Sequence, residues 1–207
     1  MTQVKICGMK RAEDIAYANE LKPEYIGFVF AKGSGRYVTP EQAAQLKAGL
    51  SGSIQAVGVF VNEPLENILE LLESGTIDLA QIHGSEVADY IRALRRRTAK
   101  PIIQAFRVVS AADADLAGAS PADFILLDHG AGGTGKTFDW SLVSGVHRPF
   151  FLAGGLSPEN VGEAIAQCHP YAVDASSRLE TDGYKDPAKM KQFIDAVRMN
   201  GNGRKGE

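Results

Sequence analysis

Eight short apolar runs follow one another at a regular spacing along this sequence. They are rich in β-branched and aromatic residues and nearly continuous, which is typical of parallel strands covered on both faces. The predicted strands are Val4–Cys7, Tyr25–Phe30, Ile54–Phe60, Leu79–His83, Pro101–Val108, Phe124–Asp128, Phe150–Gly154 and Ala172–Ser176. Since they recur about every 25 residues, each leaves room for one helix before the next strand begins.

The intervening segments carry signals for the start of a helix. Thr39 precedes a proline and stands three residues before Gln42, which is the pattern of a capping box. Ser157-Pro158 and Asp186-Pro187 repeat the combination of cap and proline, and Ser85 precedes another segment with helical periodicity. The clearest predicted helices are Leu65–Glu73, Glu86–Thr98 and Pro187–Val197.

Eight strands that alternate with helices predict an α/β fold, a single-domain (β/α)8 TIM barrel over residues 1–198. The sixth unit is the weakest, because Phe138–Val146 is too short and aromatic to predict a helix there. The polar, glycine-rich residues 199–207 are expected to form a disordered C-terminal tail.

Composition excludes several classes of protein. A net charge of −3 argues against nonspecific nucleic-acid binding, which relies on a basic surface. No signal-peptide core and no apolar run of about 18 residues is present, so we expect a cytoplasmic protein without a membrane partner. Cys7 and Cys168 are far apart and form no zinc-binding pattern, which predicts reduced thiols. No protein partner is indicated.

The loop after the sixth strand supports two functions. Gly130–Thr137 matches the phosphate-loop pattern of nucleotide hydrolases letter for letter. A phosphate loop also needs a helix that begins at its lysine, and the following Phe138-Asp139-Trp140 is a poor start for a helix. We therefore interpret the segment as a flexible lid, and a nucleotide-binding protein remains the alternative.

In a parallel barrel, the active site is built where the strands end and the βα loops begin. A thiol, a guanidinium, an imidazole, carboxylates, and glycine and serine pairs all stand at such positions in this sequence. The candidate site residues are Cys7, Arg36, His83, Asp128, Gly154, Gly155, Asp174, Ser176 and Ser177.

Six motifs, taken together and in order, resemble phosphoribosylanthranilate isomerases from about residue 3 to residue 195. They are Ile6-Cys7-Gly8, Arg36-Tyr37-Val38, Gln81-Ile82-His83-Gly84, the segment from Asp128 to Trp140, Ala153-Gly154-Gly155-Leu156 and Val173-Asp174-Ala175-Ser176-Ser177. Two positions depart from the family's pattern. Gly33-Ser34-Gly35 replaces a bulkier segment, and Arg178 stands where glycine is common.

The resemblance implies the Amadori rearrangement of N-(5-phosphoribosyl)anthranilate, a step of tryptophan biosynthesis. It makes Cys7 the general base and Asp128 the general acid, without any metal or cofactor. Arg36 suits the substrate's aromatic carboxylate, because a guanidinium binds a carboxylate through two hydrogen bonds. We expect the phosphate to bind backbone N–H groups and hydroxyls in the loops after the last two strands. The residues that supply them are Gly154, Gly155, Ser176 and Ser177. His83 and Asp174 are assigned to substrate binding.

Other sugar-phosphate barrel enzymes remain alternatives. A metal-dependent epimerase would need several histidine and aspartate ligands at strand ends, where only His83 and His129 offer imidazoles. A Schiff-base aldolase would need a lysine at a strand terminus, and Lys5 lies too deep in its strand. Lys5 shares a strand face with Cys7 and either assists that thiol or pairs with a carboxylate.

Overall fold

The chain closes into a barrel of eight parallel strands, each paired with its neighbours in sequence order and the first with the last. The computed structural model describes residues 1–128, 139–143 and 145–201. The phosphate-loop match at Gly130–Thr137, His129 and residues 202–207 of the expected tail lie outside that part of the chain. The strands are β1 Gln3–Cys7, β2 Tyr25–Val29, β3 Gln55–Phe60, β4 Leu79–Ile82, β5 Ile102–Arg107, β6 Phe124–Asp128, β7 Phe150–Leu152 and β8 Ala172–Ala175.

Helices follow most strands and cover the outside of the barrel. They are α1 Ala12–Leu21, α2 Pro40–Ala48, α3 Leu65–Glu73, α4 Ala88–Arg95, α5 Ala111–Gly118, α6 Val161–Cys168 and α7 Pro187–Gly201. Short 3-10 turns at Trp140–Val143 and Ser177–Leu179 follow β6 and β8, and a small antiparallel pair, β9 Glu180–Thr181 and β10 Tyr184–Lys185, precedes α7.

The predicted fold is confirmed, and the differences concern the ends of elements. His83, Gly154 and Ser176, which were predicted as strand ends, lie just beyond their strands, although the backbone N–H of His83 still donates to the Phe60 carbonyl at 2.8 Å. The predicted helix at 86–98 is shorter, Ala88–Arg95. Helix α7 continues to Gly201, so the first three residues assigned to the tail are helical.

The helix predicted after Ser157-Pro158 begins later than expected. The backbone N–H of Ser157 donates to Asn160 Oδ1 at 2.8 Å, and this hydrogen bond forms a turn before α6 begins at Val161. The two other caps are confirmed. Thr39 and Gln42 form the reciprocal capping box, and Asp186 accepts hydrogen bonds from two N–H groups of the first turn of α7.

The lower interior of the barrel is apolar, whereas its upper layer also contains buried polar side chains. The buried cluster inside the strands consists of Tyr25, Val57, Leu79, Ile103, Leu126, Phe151, Ala153 and Ala172. Because side chains on one strand face recur every second residue, Leu79 is followed inside the barrel by Gln81, and Ala172 by Asp174. This change from apolar to polar marks the floor of a cavity at the carboxyl ends of the strands.

Candidate active site

A cavity of ≈ 250 Å³ opens at the carboxyl end of the barrel. All nine residues predicted for the site line it, namely Cys7, Arg36, His83, Asp128, Gly154, Gly155, Asp174, Ser176 and Ser177. They come from the ends of six different strands or the loops after them, so only closure of the barrel brings them together. Arg178, one of the two departures from the family pattern, lines the same cavity.

A larger cavity, of ≈ 540 Å³, lies outside the barrel between α2 and α3. Its floor is the stacked pair Phe30 and Phe60, whose ring centroids are 5.1 Å apart, and its rim carries Glu41, Glu63 and Glu70. None of the predicted site residues lines it. We therefore take the smaller, polar cavity as the candidate active site, because all the residues predicted to act as acid, base and anion-binding loops line it.

Cys7 ends β1 with its thiol directed into the barrel. It pairs in register with Gly27 of β2, where a Cβ atom would stand 2.7 Å from the sulfur, so glycine leaves room for the thiol. The following Gly8 has φ +90, and a Cβ there would lie 2.4 Å from Arg36 Cδ. The strand terminus therefore requires glycine both for its backbone angle and for the close approach of the arginine.

Burial raises the pKa of the Cys7 thiol, and the positive charge of Lys5 acts in the opposite direction. Lys5 is fully buried, and its Nζ lies 2.8 Å from Asp174 Oδ2. Burial alone would lower the pKa of Lys5, but the negative charges and hydrogen bonds of Asp174 and Cys7 together outweigh burial and raise it. Lys5 thus pairs with a carboxylate, as one of the two sequence-based interpretations held, and stands as a cation near the thiol.

The Arg36 guanidinium lines the cavity and forms an ion pair with Glu180. Its Nε and Nη2 atoms donate to the two carboxylate oxygens of Glu180, each at 2.7 Å. Glu180 also accepts a hydrogen bond from Lys185 Nζ at 2.6 Å, and Lys185 donates to the Ser176 carbonyl. Only the remaining N–H groups of the guanidinium can meet a ligand while this ion pair persists. No motif in the sequence indicates Glu180 as the partner of Arg36.

The pairing makes Glu180 a source of pH-dependent stability. Burial of the carboxylate opposes its ionisation, but hydrogen bonds from Arg36 and Lys185 outweigh burial and lower the pKa of Glu180 to about 2. Since an unfolded glutamate has a pKa of about 4.3, this stabilisation is complete above that pH and is lost as the pH falls towards 2.

We expect Glu180→Gln to lower the free energy of unfolding by roughly 1 to 3 kcal/mol at pH 7. Urea unfolding at pH 7 and at pH 3 measures the effect, and the gap between the variant and the wild type should narrow at pH 3. Glu73→Gln, an exposed carboxylate at the end of α3, is the control. A gap of the same size at both pH values would contradict a role for the charge.

His83 and Asp128 face each other across the cavity. His83 Nε2 lies 3.9 Å from Asp128 Oδ2, and His83 Nδ1 lies 2.7 Å from the side-chain nitrogen of Gln81. Burial lowers the pKa of His83 below its usual value, and the nearby Asp128 charge only partly offsets this effect. Asp128 is about a quarter exposed, which leaves its carboxyl group accessible to a ligand in the cavity.

The loops after β7 and β8 form the side of the cavity predicted to bind phosphate. Gly154 and Gly155 have φ values of +93 and +71, which turn successive backbone N–H groups in a way that side-chain-bearing residues rarely allow. A 3-10 turn begins at Ser177. The Ser176 hydroxyl donates to the Cys7 carbonyl at 2.9 Å, so this side chain links the end of β1 to the loop after β8.

Three residues of the site were not assigned a role from the sequence. Gln81 could have been found, because it stands two residues before His83 on the same strand face. Glu180 and Lys185 gave no such signal, since their importance depends on a hairpin that places them against Arg36. Within the described residues, no three histidine, cysteine or acidic side chains are grouped so that they could hold a metal ion.

Comparison with known proteins gives one consistent family. The family model described as "PRAI: N-(5'phosphoribosyl)anthranilate (PRA) isomerase" matches residues 4–196. An N-(5'-phosphoribosyl)anthranilate isomerase of Endomicrobium trichonymphae is 45% identical over 96% of this chain and 99% of its own. One from Thermoanaerobacter sp. (strain X514) is 47% identical over 96% of this chain and 98% of its own.

Solved structures agree with the sequence relatives. The phosphoribosyl anthranilate isomerase of Thermotoga maritima covers 96% of this chain and 100% of its own with a TM-score of 0.87 and 38% identity. A second structure of such an isomerase, in complex with reduced 1-(o-carboxyphenylamino)-1-deoxyribulose 5-phosphate, has a TM-score of 0.85 at 36% identity, with 96% and 100% of the two chains covered. None of the helices in the described part of this chain has the length and hydropathy of a membrane span.

Proposed function

Because the chain belongs to the N-(5'-phosphoribosyl)anthranilate isomerase family and shares its activity in tryptophan biosynthesis, we propose that the reaction takes place in the cavity at the end of the barrel. The reaction is the Amadori rearrangement of N-(5-phosphoribosyl)anthranilate, with Asp128 as the general acid and Cys7 as the general base. The substrate is a small molecule with a phosphate at one end and an aromatic carboxylate at the other. The observation that supports the assignment best is that Cys7, Asp128, Arg36 and Gly155 all line one cavity. The cytoplasm is the proposed compartment.

The first step opens the sugar ring. Asp128, as a carboxylic acid, donates its proton to the ring oxygen while the bond between that oxygen and C1′ breaks. The lone pair of the anthranilate nitrogen forms a double bond to C1′, which gives a protonated Schiff base and leaves Asp128 as a carboxylate. The accessible position of Asp128 at the end of β6 supports this role.

In the second step, the Cys7 thiolate removes the proton from C2′. The electron pair of that C–H bond forms the C1′–C2′ double bond, and the nitrogen regains its lone pair, so the product is an enolamine. Transfer of the hydroxyl proton from C2′ and protonation of C1′ convert the enolamine to the ketone. The cation of Lys5 beside Cys7 favours the thiolate that this step requires.

The two ends of the substrate bind on opposite sides of these residues. The phosphate accepts hydrogen bonds from N–H groups of the loops after β7 and β8, where Gly154 and Gly155 leave space for it. The carboxylate binds the N–H groups of Arg36 that Glu180 does not use. The ribose then lies between Cys7 and Asp128.

We expect Arg36→Met to raise KM roughly ten- to a hundred-fold, because it removes charged hydrogen bonds to the carboxylate. Steady-state kinetics with N-(5-phosphoribosyl)anthranilate measure this effect. Glu180→Gln serves as the matched control, since it breaks the same ion pair and keeps the guanidinium. An unchanged KM for a folded Arg36→Met protein would remove Arg36 from the binding site.

The nucleotide-binding alternative has less support. The isomerase family model matches residues 4–196, a range that includes Asp128 and the loop after it. This chain also resembles the structure of 3-hexulose-6-phosphate synthase from Salmonella typhimurium, but the two sequences are only 13% identical. That similarity therefore concerns the fold alone. Conversion of N-(5-phosphoribosyl)anthranilate by the purified protein is the direct test of the function.

A further inference from the structure

Gln81 and His83 form a pair on the inner face of β4. Gln81 is 1% exposed, and its side-chain nitrogen lies 2.7 Å from Nδ1 of His83. His83 stands just beyond the strand, where its other ring nitrogen faces Asp128 of β6. Gln81 therefore touches the imidazole on the side opposite to the proposed acid, and it determines which ring nitrogen carries the proton.

The orientation of the Gln81 amide decides the tautomer. If its N–H group donates to His83 Nδ1, the buried Oε1 atom has no partner among the described residues. In the reversed orientation, the oxygen accepts from Nδ1–H, and the two N–H groups of the buried amide lose their acceptor. A buried carbonyl oxygen tolerates a missing partner better than buried N–H groups do. The first orientation is therefore favoured, and it places the proton of a neutral imidazole on Nε2.

The charges around His83 agree with a neutral ring. The groups that act on it from the neighbouring elements are Lys5 of β1, Glu86 after β4, Asp128 of β6 and Asp174 of β8. Burial has the largest effect and lowers the pKa of His83, and the carboxylates only partly reverse it. If Nδ1 were protonated while the Gln81 N–H group points at it, two hydrogen-bond donors would face each other at 2.7 Å.

We propose that Gln81 is a positioning residue, which holds His83 as the neutral tautomer with its Nε2–H group directed at Asp128. This inference rests on the proposed role of Asp128 as the general acid. When Asp128 gives up its proton, it gains negative charge 3.9 Å from Nε2, and a small approach of the two groups makes a hydrogen bond. The bond is stronger after proton transfer than before it, so it assists ring opening instead of binding.

The test compares Gln81→Glu with the wild type. Nitrogen NMR of the histidine rings reports the tautomer and the titration of His83, with His83→Gln used for assignment among the four histidines. We expect a neutral Nε2–H ring in the wild type that titrates below the ordinary histidine pKa of about 6.5. In Gln81→Glu, the carboxylate should accept from Nδ1–H and raise the pKa of His83, and kcat should fall about tenfold, the equivalent of one hydrogen bond.

Two controls separate positioning from general damage to the barrel. Gln104→Met removes another buried glutamine, which bonds Ser120 and the Glu86 carbonyl away from the cavity, and it should leave the His83 spectrum and kcat unchanged. His83→Gln keeps a donor near the position of Nε2 and should retain a higher kcat than His83→Leu.

The proposal fails if wild-type His83 carries its proton on Nδ1, or if it titrates near its ordinary pKa. It also fails if Gln81→Glu leaves the ring's state unchanged or if His83→Leu matches His83→Gln in kcat. Because the NMR measurement needs no turnover, an error in the tautomer is distinguishable from an error in the assignment of Asp128, which only kinetics reveals.

Discussion

Replacement of Cys7 by alanine is expected to abolish nearly all isomerase activity and to leave the barrel folded. Alanine fits the site, because the thiol faces the cavity and Gly27 already leaves space beside it. Loss of a general base typically costs roughly 10²- to 10⁴-fold in rate, and we expect a fall in kcat towards the upper end of this range. Steady-state kinetics together with a thermal denaturation curve measure the two parts of the expectation.

The pH profile adds a second readout for Cys7. Since burial raises the pKa of this thiol, only part of the enzyme carries the thiolate at neutral pH, and kcat/KM should increase as the pH rises through this range. The residual activity of Cys7→Ala should lack that increase. Cys168→Ala, at the end of α6 and outside the cavity, is the matched control and should retain wild-type rates. Equal activity in the two alanine variants would exclude Cys7 as the base.

Replacement of Asp128 by asparagine should have an effect of similar size on a different step. The amide keeps the size of the side chain but has no acidic proton, so ring opening should be slowed by roughly 10²- to 10⁴-fold while the substrate still binds. Pre-steady-state mixing with N-(5-phosphoribosyl)anthranilate separates binding from turnover. Asp128→Glu, which keeps the carboxyl group, should recover part of the rate.

If Asp128→Asn had a kcat within a few-fold of the wild type, Asp128 would not be the general acid and would have only a structural role at the end of β6. Loss of binding without a change in kcat would contradict the assignment in another way, because it would make Asp128 a ligand for the substrate and not an acid. Asp123→Asn, before β6 and outside the cavity, tests whether loss of a carboxylate near this strand is harmful in itself.

The sequence predicted the barrel because its eight strands are local, nearly continuous apolar runs, and each can be recognised without knowledge of its neighbours. Cys7 and Asp128 were recognisable for a related reason, since both stand at the end of a strand, where a parallel barrel builds its site. The strand ends predicted at His83, Gly154 and Ser176 lie within one or two residues of the ends in the structure.

The contacts between distant parts of the chain could not be predicted in this way. Glu180 pairs with Arg36 across 144 residues of sequence, and the bond exists only because β9 and β10 carry Glu180 back to the cavity. The late start of α6 has a local cause, the Asn160 side chain, but Ser157-Pro158 carries the stronger helix signal. Side-chain hydrogen bonds in a turn outweighed the propensity of those two residues.

The ion pair between Lys5 and Asp174 links the first strand of the barrel to the last, since the two residues are partners in the register of β1 and β8. A growing polypeptide that has not yet completed β8 cannot bury Lys5 beside its counter-ion, and an unpaired buried charge is strongly unfavourable. The cation next to Cys7 is therefore in place only after the whole barrel has closed. Since the proposed base Cys7 depends on this cation, we expect isomerase activity only from chains that have completed β8.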